Sequence, residues 1–200
     1  MKELLVATAN EHKAQELAAL MPQLKLKYLT LRNFPGFIMP PEDGATLDEN
    51  AVIKARAAAL GCGVWALADD TGLEVDALGG APGVYSARFA GEERDYEANN
   101  RKLLVMLAGK TNRSARFRCV MALVSPDGKT VITEAGVLEG TIITAARGGN
   151  GFGYDPLFVP QGGTQTLAEL NAAEKNSISH RGRAVRAMLK HLDAYANGGI

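Results

Sequence analysis

The reading of this chain turns on Ala66-Leu67-Ala68-Asp69-Asp70-Thr71-Gly72. An apolar run from Val64 to Ala68 ends in two carboxylates, a hydroxyl and a glycine, with Gly61 and Gly63 before it. A short apolar run between glycines reads as a buried strand, so a strand here carries acid groups to its own end. Burying a carboxylate is costly unless a cation or a metal meets it. Side chains alternate along a strand, so Asp69 and Asp70 face opposite sides and are expected to do different jobs. The plain alternative is a solvated turn after a strand, and the rest of the chain has to decide between the two.

Upstream, Leu4 to Ala7 reads as a strand and Thr8-Ala9-Asn10 as a turn. Asn10 or Thr8 is suited to cap a helix whose apolar face is Leu17, Leu20 and Met21, with Pro22 helping to end it. Such a junction offers free backbone N–H groups and the positive end of a dipole, which suits a phosphate. Lys13 adds a point charge one turn in; the bland reading is an ordinary capped helix. Lys25 to Leu31 is expected to be a second strand, and the prolines and glycines between Phe34 and Gly44 mark a loop that holds Glu42. Thr46-Leu47-Asp48-Glu49 has the capping-box form and opens a helix toward Gly61. Asn50, Lys54 and Ala57 share one face of it, which brings Lys54 within reach of the acidic turn.

Downstream, Leu73 to Asp76 alternates as a strand, and Gly79-Gly80-Ala81-Pro82-Gly83 forces a tight turn before Val84-Tyr85-Ser86-Ala87-Arg88-Phe89. Asp95 caps a helix with Leu103, Leu104 and Leu107 inward. Ala115 to Val124 is a strand, Ser125-Pro126-Asp127-Gly128 a hairpin turn, and Val131–Ile132 and Val137–Ile143 continue the sheet. Gly148-Gly149-Asn150-Gly151-Phe152-Gly153-Tyr154-Asp155-Pro156 is too glycine-rich for a routine connection. It is neither a dinucleotide-binding fingerprint nor a Walker loop. Phe152 and Tyr154 on that frame are placed either to clamp a flat base or to anchor the loop. Ser177 or Ser179 caps the final helix, whose core face is Val185, Met188, Leu189 and Leu192. Lys175, His180 and Arg181 crowd its start, where cations oppose the helix dipole, and this points to a ligand.

Two hundred residues, 46% hydrophobic, allow one domain or two lobes sharing a core. Lys plus Arg and Asp plus Glu are 22 each, so no basic excess speaks for a polynucleotide surface. Cys62 and Cys119 fit neither a zinc spacing nor a disulfide framework, and Cys119 reads as a small buried thiol. The first apolar run is too short for a signal peptide, and Lys54 and Arg56 interrupt the best membrane-length candidate. A soluble cytoplasmic protein without a membrane or nucleic-acid polymer as partner is the expectation.

A phosphate-friendly turn, acids at Glu42 and Asp70, an aromatic loop and a cationic cluster are the parts of a metal-dependent nucleotide hydrolase. The chain resembles the inosine triphosphate pyrophosphatase family over nearly its whole length. The resemblance rests on Thr8-Ala9-Asn10-Glu11-His12-Lys13, Glu49-Asn50-Ala51-x-x-Lys54-Ala55, Ala68-Asp69-Asp70-Thr71-Gly72-Leu73, Gly79 to Arg88, Phe152-Gly153-Tyr154-Asp155-Pro156 and Ala173-Glu174-Lys175-Asn176-x-x-Ser179-His180-Arg181. Thr71 stands where many bacterial members carry serine, which keeps the hydroxyl.

The resemblance implies an α/β fold in which a long mixed central sheet is flanked by helices, with an active-site cleft between two lobes of a single domain, residues 1–200. It implies hydrolysis of ITP, dITP or XTP to the monophosphate and pyrophosphate, magnesium as cofactor, and a homodimer. Asp70 would be the general base and a metal ligand, and Glu42 would help hold the magnesium. Thr8, Ala9, Asn10, Glu11, His12 and Lys13, with Lys54, would hold the triphosphate, and Thr71 would touch the substrate. Phe152 and Tyr154 would flank the base, Gly153 and Asp155 would complete that loop, and Lys175, His180 and Arg181 would read the base edge. The alternatives are a Maf-like nucleotide pyrophosphatase acting on other bases and a non-catalytic nucleotide sensor, which would not need Asp70 and Glu42. A metal-free serine hydrolase lacks its nucleophile-elbow string here.

Overall fold

The computed structural model describes residues 1–8, 17, 20, 21, 23–91 and 95–200. Its strands are β1 (Lys2–Val6), β2 (Leu26–Thr30), β3 (Trp65–Val75), β4 (Ser114–Val124), β5 (Val131–Ile142) and β6 (Phe158–Pro160). They form one sheet in the order β2-β1-β3-β4-β5-β6. β1 pairs in parallel with β2 and with β3, whereas β5 and β6 are antiparallel, so the sheet is mixed as expected. The helices are α1 (Leu47–Cys62), α2 (Tyr96–Met106), α3 (Ala172–Ile178) and α4 (His180–Asn197), and Leu17 and Leu20 are also helical. Among the described residues no helix is long and apolar enough to cross a membrane.

The acid-bearing stretch departs from its reading in one respect. The expected strand to Ala68, acidic turn and second strand from Leu73 are a single strand of 11 residues, β3, running through Asp69, Asp70, Thr71 and Gly72 without a break. β3 lies between β1 and β4; its register with β1 spans Trp65 to Leu67, and its place beside β4 keeps it extended where local sequence alone favours a turn. β5 likewise runs unbroken through 133–136, between the two pieces expected. Ser125 and Gly128 close the β4–β5 turn, Gly128 N–H donating to Ser125 O at 2.9 Å, and Gly128 adopts the positive φ of 72° that a side chain would resist.

The chain parts into two compact units, each with its own core. The first comprises Met1–Asp70, Cys119–Gly136 and Arg181–Ile200. Its core is Leu4, Val6, Leu17, Met21, Leu67, Met121, Leu123, Val185, Met188 and Leu192, with Cys119 buried among them. Val185, Met188 and Leu192 are the helical stripe read from the sequence. The Tyr195 hydroxyl donates to Glu3 O at 2.7 Å and ties the end of α4 to β1. The second unit comprises Thr71–Arg118 and Val137–His180, around Leu73, Leu103, Phe117, Leu138, Ile142, Tyr154, Leu157 and Phe158.

The end of the chain holds a further correction. In place of one final helix, α3 and α4 are separated by Ser179, whose φ of −62° and ψ of 154° are extended. Asn171 caps α3 through a capping box with Glu174, so Lys175 lies within α3 and not at the start of the last helix. Asn171-x-x-Glu174 is itself a visible capping signal. Ser179, one of the two cap candidates, immediately precedes α4.

Leu67 is fully buried in the middle of the first core. Leu67→Ala is expected to cost about 2–5 kcal/mol, because the pleated sheet cannot collapse onto the cavity. The midpoint of denaturant unfolding checks this.

Candidate functional site

In the first unit the acid pair divides its partners as strand alternation demands. Asp70 Oδ1 accepts a hydrogen bond from Lys54 Nζ at 2.9 Å, and both side chains are less than a tenth exposed. Asp69 Oδ2 lies 3.4 Å from Arg181 Nη2 with both groups buried, and Cys119 Sγ stands 3.9 Å from the same oxygen. The two carboxylates therefore answer two different cations. The expectation that Lys54 reaches the acidic strand is met, and Arg181, expected at the base edge, is held against Asp69.

Lys54 is placed by α1. Thr46 caps that helix by accepting from Glu49 N–H, and the left-handed Gly63 ends it. Lys54 and Asn50 lie one turn apart, and both are buried. Asn50 Oδ1 accepts from Gly44 N–H at 2.8 Å and so fixes the loop that carries Glu42. A side chain at Gly44 would meet Asn50 Oδ1 at 2.7 Å and Glu49 Cβ at 2.8 Å, so only glycine permits the approach. Glu42 Oε1 stands 3.5 Å from Lys54 Nζ. One ammonium is thus shared by Glu42 and Asp70. Burial pulls the Lys54 pKa down, but the charges of Asp70, Asp69 and Glu42 and the hydrogen bond to Asp70 outweigh it, so the net shift is upward. The sequence places Asn50 on this face, whereas its grip on Gly44 carries no sequence signal.

Thr8 stands two residues past the end of β1; its N–H donates to Val6 O, and Ala7 N–H donates to Leu67 O at 2.8 Å. Ala9, Asn10, Glu11, His12 and Lys13, expected to hold phosphates, lie outside the described residues. Thr71 is half-buried on β3, next to Asp70.

In the second unit the glycine-rich stretch folds around Asp155. Its Oδ2 accepts from Phe152 N–H at 2.9 Å and from Lys175 Nζ at 2.9 Å. A side chain at Gly151, where φ is +76°, would meet that same oxygen at 2.1 Å, so the glycine is required twice over. Lys175 Nζ also sits 4.8 Å from the centre of the Phe152 ring, within cation–π range. Phe152 is half-buried and its ring is partly open. Tyr154 differs from Phe152: only 3% of it is exposed, it belongs to the core, and its hydroxyl donates to Ser86 O at 2.9 Å. Burial pushes the Tyr154 phenol up, which keeps it a neutral donor. Of the two readings for this aromatic pair, anchoring describes Tyr154. The ring of His180 is buried and stacks on Phe117, centroids 4.7 Å apart at 14°.

Among the described residues no group of three His, Cys, Asp or Glu side chains is placed to hold a metal ion. Magnesium does not require one, since it binds through one or two carboxylates together with phosphate oxygens and water. Glu42 and Asp70 already gather around one cationic group, both offer hard oxygen donors, and Glu42 is partly open to solvent. That donor set fits such an ion.

Comparison with known proteins gives one consistent picture. The description of the Ham1 family matches residues 4–191. A dITP/XTP pyrophosphatase of Elusimicrobium minutum is 53% identical over 196 residues, covering 95% of this chain and 99% of that protein. A Ham1 protein of Coxiella burnetii has a structure similar at a TM-score of 0.90 with 42% identity, covering 96% of this chain and 98% of that one. The Ham1 protein of Staphylococcus aureus aligns over 100% of both chains with a TM-score of 0.85 and 38% identity.

Removing the Lys54 charge leaves two carboxylates facing each other. Lys54→Met is expected to lower stability by about 3 kcal/mol, in the range for breaking a buried pair on one side. Because the folded Lys54 pKa lies above the ordinary 10.5, its contribution is complete below that value and is lost only as pH rises through the folded pKa. The stability difference between the two proteins is therefore expected to stay flat from about pH 7 to 10. Denaturant titrations across that range measure it.

Proposed function

The chain belongs to the Ham1 family, and on that premise we infer that it hydrolyses the non-standard purine nucleotides ITP, dITP and XTP to the monophosphate and pyrophosphate. Named relatives with this activity, about half identical over nearly the full chain, support the substrate class. The observation that carries the chemistry is the shared grip of Asp70 and Glu42 on Lys54. It gathers two hard carboxylates and a permanent positive charge, the parts a triphosphate and its counter-ion call for.

Asp70 acts as the general base in this reading. It takes a proton from the water that attacks phosphorus, while the bridging oxygen between the α and β phosphates leaves with the pyrophosphate. A positioned base of this kind contributes about 10² to 10⁴ in rate. Lys54 places positive charge where negative charge builds on the phosphate oxygens. Thr8 to Lys13 would hold the phosphates, with Lys13 adding a positive charge, and Thr71 contacts the substrate. Glu42 and Asp70 would hold magnesium, which when bound neutralises phosphate charge and orients the attacking water.

The base falls to the second set of residues. Phe152 offers its partly open ring for stacking. Tyr154 serves the loop from inside the core, and Gly153 and Asp155 set its shape. Lys175 and His180 supply donors for the base edge, and Arg181 joins them in this reading while its guanidinium also meets Asp69. Donors match the 6-oxo group of hypoxanthine and xanthine, whereas the 6-amino group of adenine leaves them unpaired, a mismatch worth a factor of about 10⁴ or more. Guanine shares the 6-oxo group, so its exclusion rests on shape around the 2-amino group. The reading includes a homodimer in the cytoplasm, with residues 1–200 acting as a single catalytic domain.

Asp70→Asn is expected to cut kcat for ITP by about 10³ while nucleotide binding, followed by calorimetry with the nucleotide and magnesium, survives. Retained turnover would remove Asp70 as the base. In ¹⁸O-labelled water the label is expected in the monophosphate, because the bridging oxygen leaves with the pyrophosphate, and those two are expected as sole products by mass spectrometry. Release of single phosphate would mean another reaction.

A further inference from the structure

Helix α2 contributes nothing to the chemistry above, yet one of its faces is built around the base loop. Tyr96, Asn99 and Asn100 are three and four residues apart and share that face. Asn100 Nδ2 donates to Gly153 O at 3.0 Å, in the middle of the Phe152–Asp155 loop. The Tyr96 ring lies 6.1 Å from the Phe152 ring in a tilted pair. Asn99 Nδ2 donates to Ala87 O at 3.2 Å and Ser86 O at 3.4 Å, and its Oδ1 accepts from Ala90 N–H at 2.6 Å. Ser86 O is the same carbonyl that receives the Tyr154 hydroxyl at 2.9 Å.

The bonds close a ring. Asn99 and Tyr154 meet on Ser86 O, Tyr154 follows Gly153, and Gly153 is held by Asn100, the neighbour of Asn99. Ser86 extends the ring to β3: its Oγ accepts from Leu73 N–H at 2.8 Å and donates to Gly83 O at 2.6 Å. Leu73 lies two residues past Thr71. Gly153 is the weak point that the ring braces. Its φ is +65°, and a glycine there leaves the loop free to choose other conformations unless something outside holds it.

We propose that Asn100 is a positioning residue for the base loop: by holding the Gly153 carbonyl it fixes the angle of the Phe152 ring, and so governs substrate affinity and base choice more than the rate of phosphorus–oxygen cleavage. The proposal rests on the reading that Phe152 stacks on the base. Asn100 touches neither substrate nor reacting atoms; it acts through Gly153 and Phe152. Its own Oδ1 is buried and accepts no hydrogen bond among the described residues, so within them its side-chain amide is oriented by the bond to Gly153 O.

The test compares Asn100→Ala, Asn100→Asp and Phe152→Ala with the unsubstituted enzyme, using ITP and ATP with magnesium. Asn100→Asp keeps the size and removes the donor, so it answers the question even where the alanine variant is poorly folded. Loss of one positioning hydrogen bond is expected to raise KM for ITP about three- to tenfold in both Asn100 variants, with kcat within about twofold and the preference for ITP over ATP reduced. Phe152→Ala is expected to raise KM at least as much. An unchanged KM in the Asn100 variants beside a raised KM in Phe152→Ala overturns the role of Asn100 alone. An unchanged KM in Phe152→Ala overturns the base-stacking reading and this proposal with it. A fall in kcat that matches a drop in the unfolding midpoint, with KM constant, marks a merely structural role and also overturns it.

Discussion

The contact between Lys54 and Asp70 is the constraint on which the first unit's site depends. A carboxylate with less than a tenth of its side chain exposed is tolerable only beside a cation. That need explains several local features together. α1 must present Lys54 one turn after Asn50, the Thr46 cap must hold the helix start, and Gly44 must stay without a side chain so that Asn50 can bind its N–H. The same ammonium then draws in Glu42. A pair of this kind adds little net stability against an apolar isostere. Its value lies in placing charge.

The second unit meets the same requirement with different parts. Asp155 is buried against Lys175, and the pair shapes a loop whose backbone N–H at Phe152 binds the same carboxylate. Asp69 against Arg181 repeats the device in the first unit. Each of these buried acids faces a basic side chain.

Much of this was legible in residue order. The acid-bearing strand, the Thr46 cap, the reach of Lys54, the burial of Cys119 and the apolar stripe of the last helix all follow from local patterns, because helix faces and strand alternation are set by backbone geometry. Three features were not. β3 continues through an acidic, glycine-containing stretch because it lies beside β4 in the sheet. Tyr154 is drawn into the core while Phe152 two residues away stays partly open, although alternation in a loop carries no rule that separates them. The polar face of α2 has no apolar period to betray it, and its partners stand 9 to 53 residues away.

Sequence by itself therefore determined the α/β class, the acid-bearing and glycine-rich stretches and the family to which the chain belongs, since these rest on side-chain chemistry and short-range spacing. Only the tertiary structure decided which cation each carboxylate meets, that Tyr154 anchors from within, and that an asparagine pair on α2 braces the loop. Those choices depend on long-range hydrogen bonds and ion pairs, whose partners are selected by the packing of distant segments and leave no period in the chain.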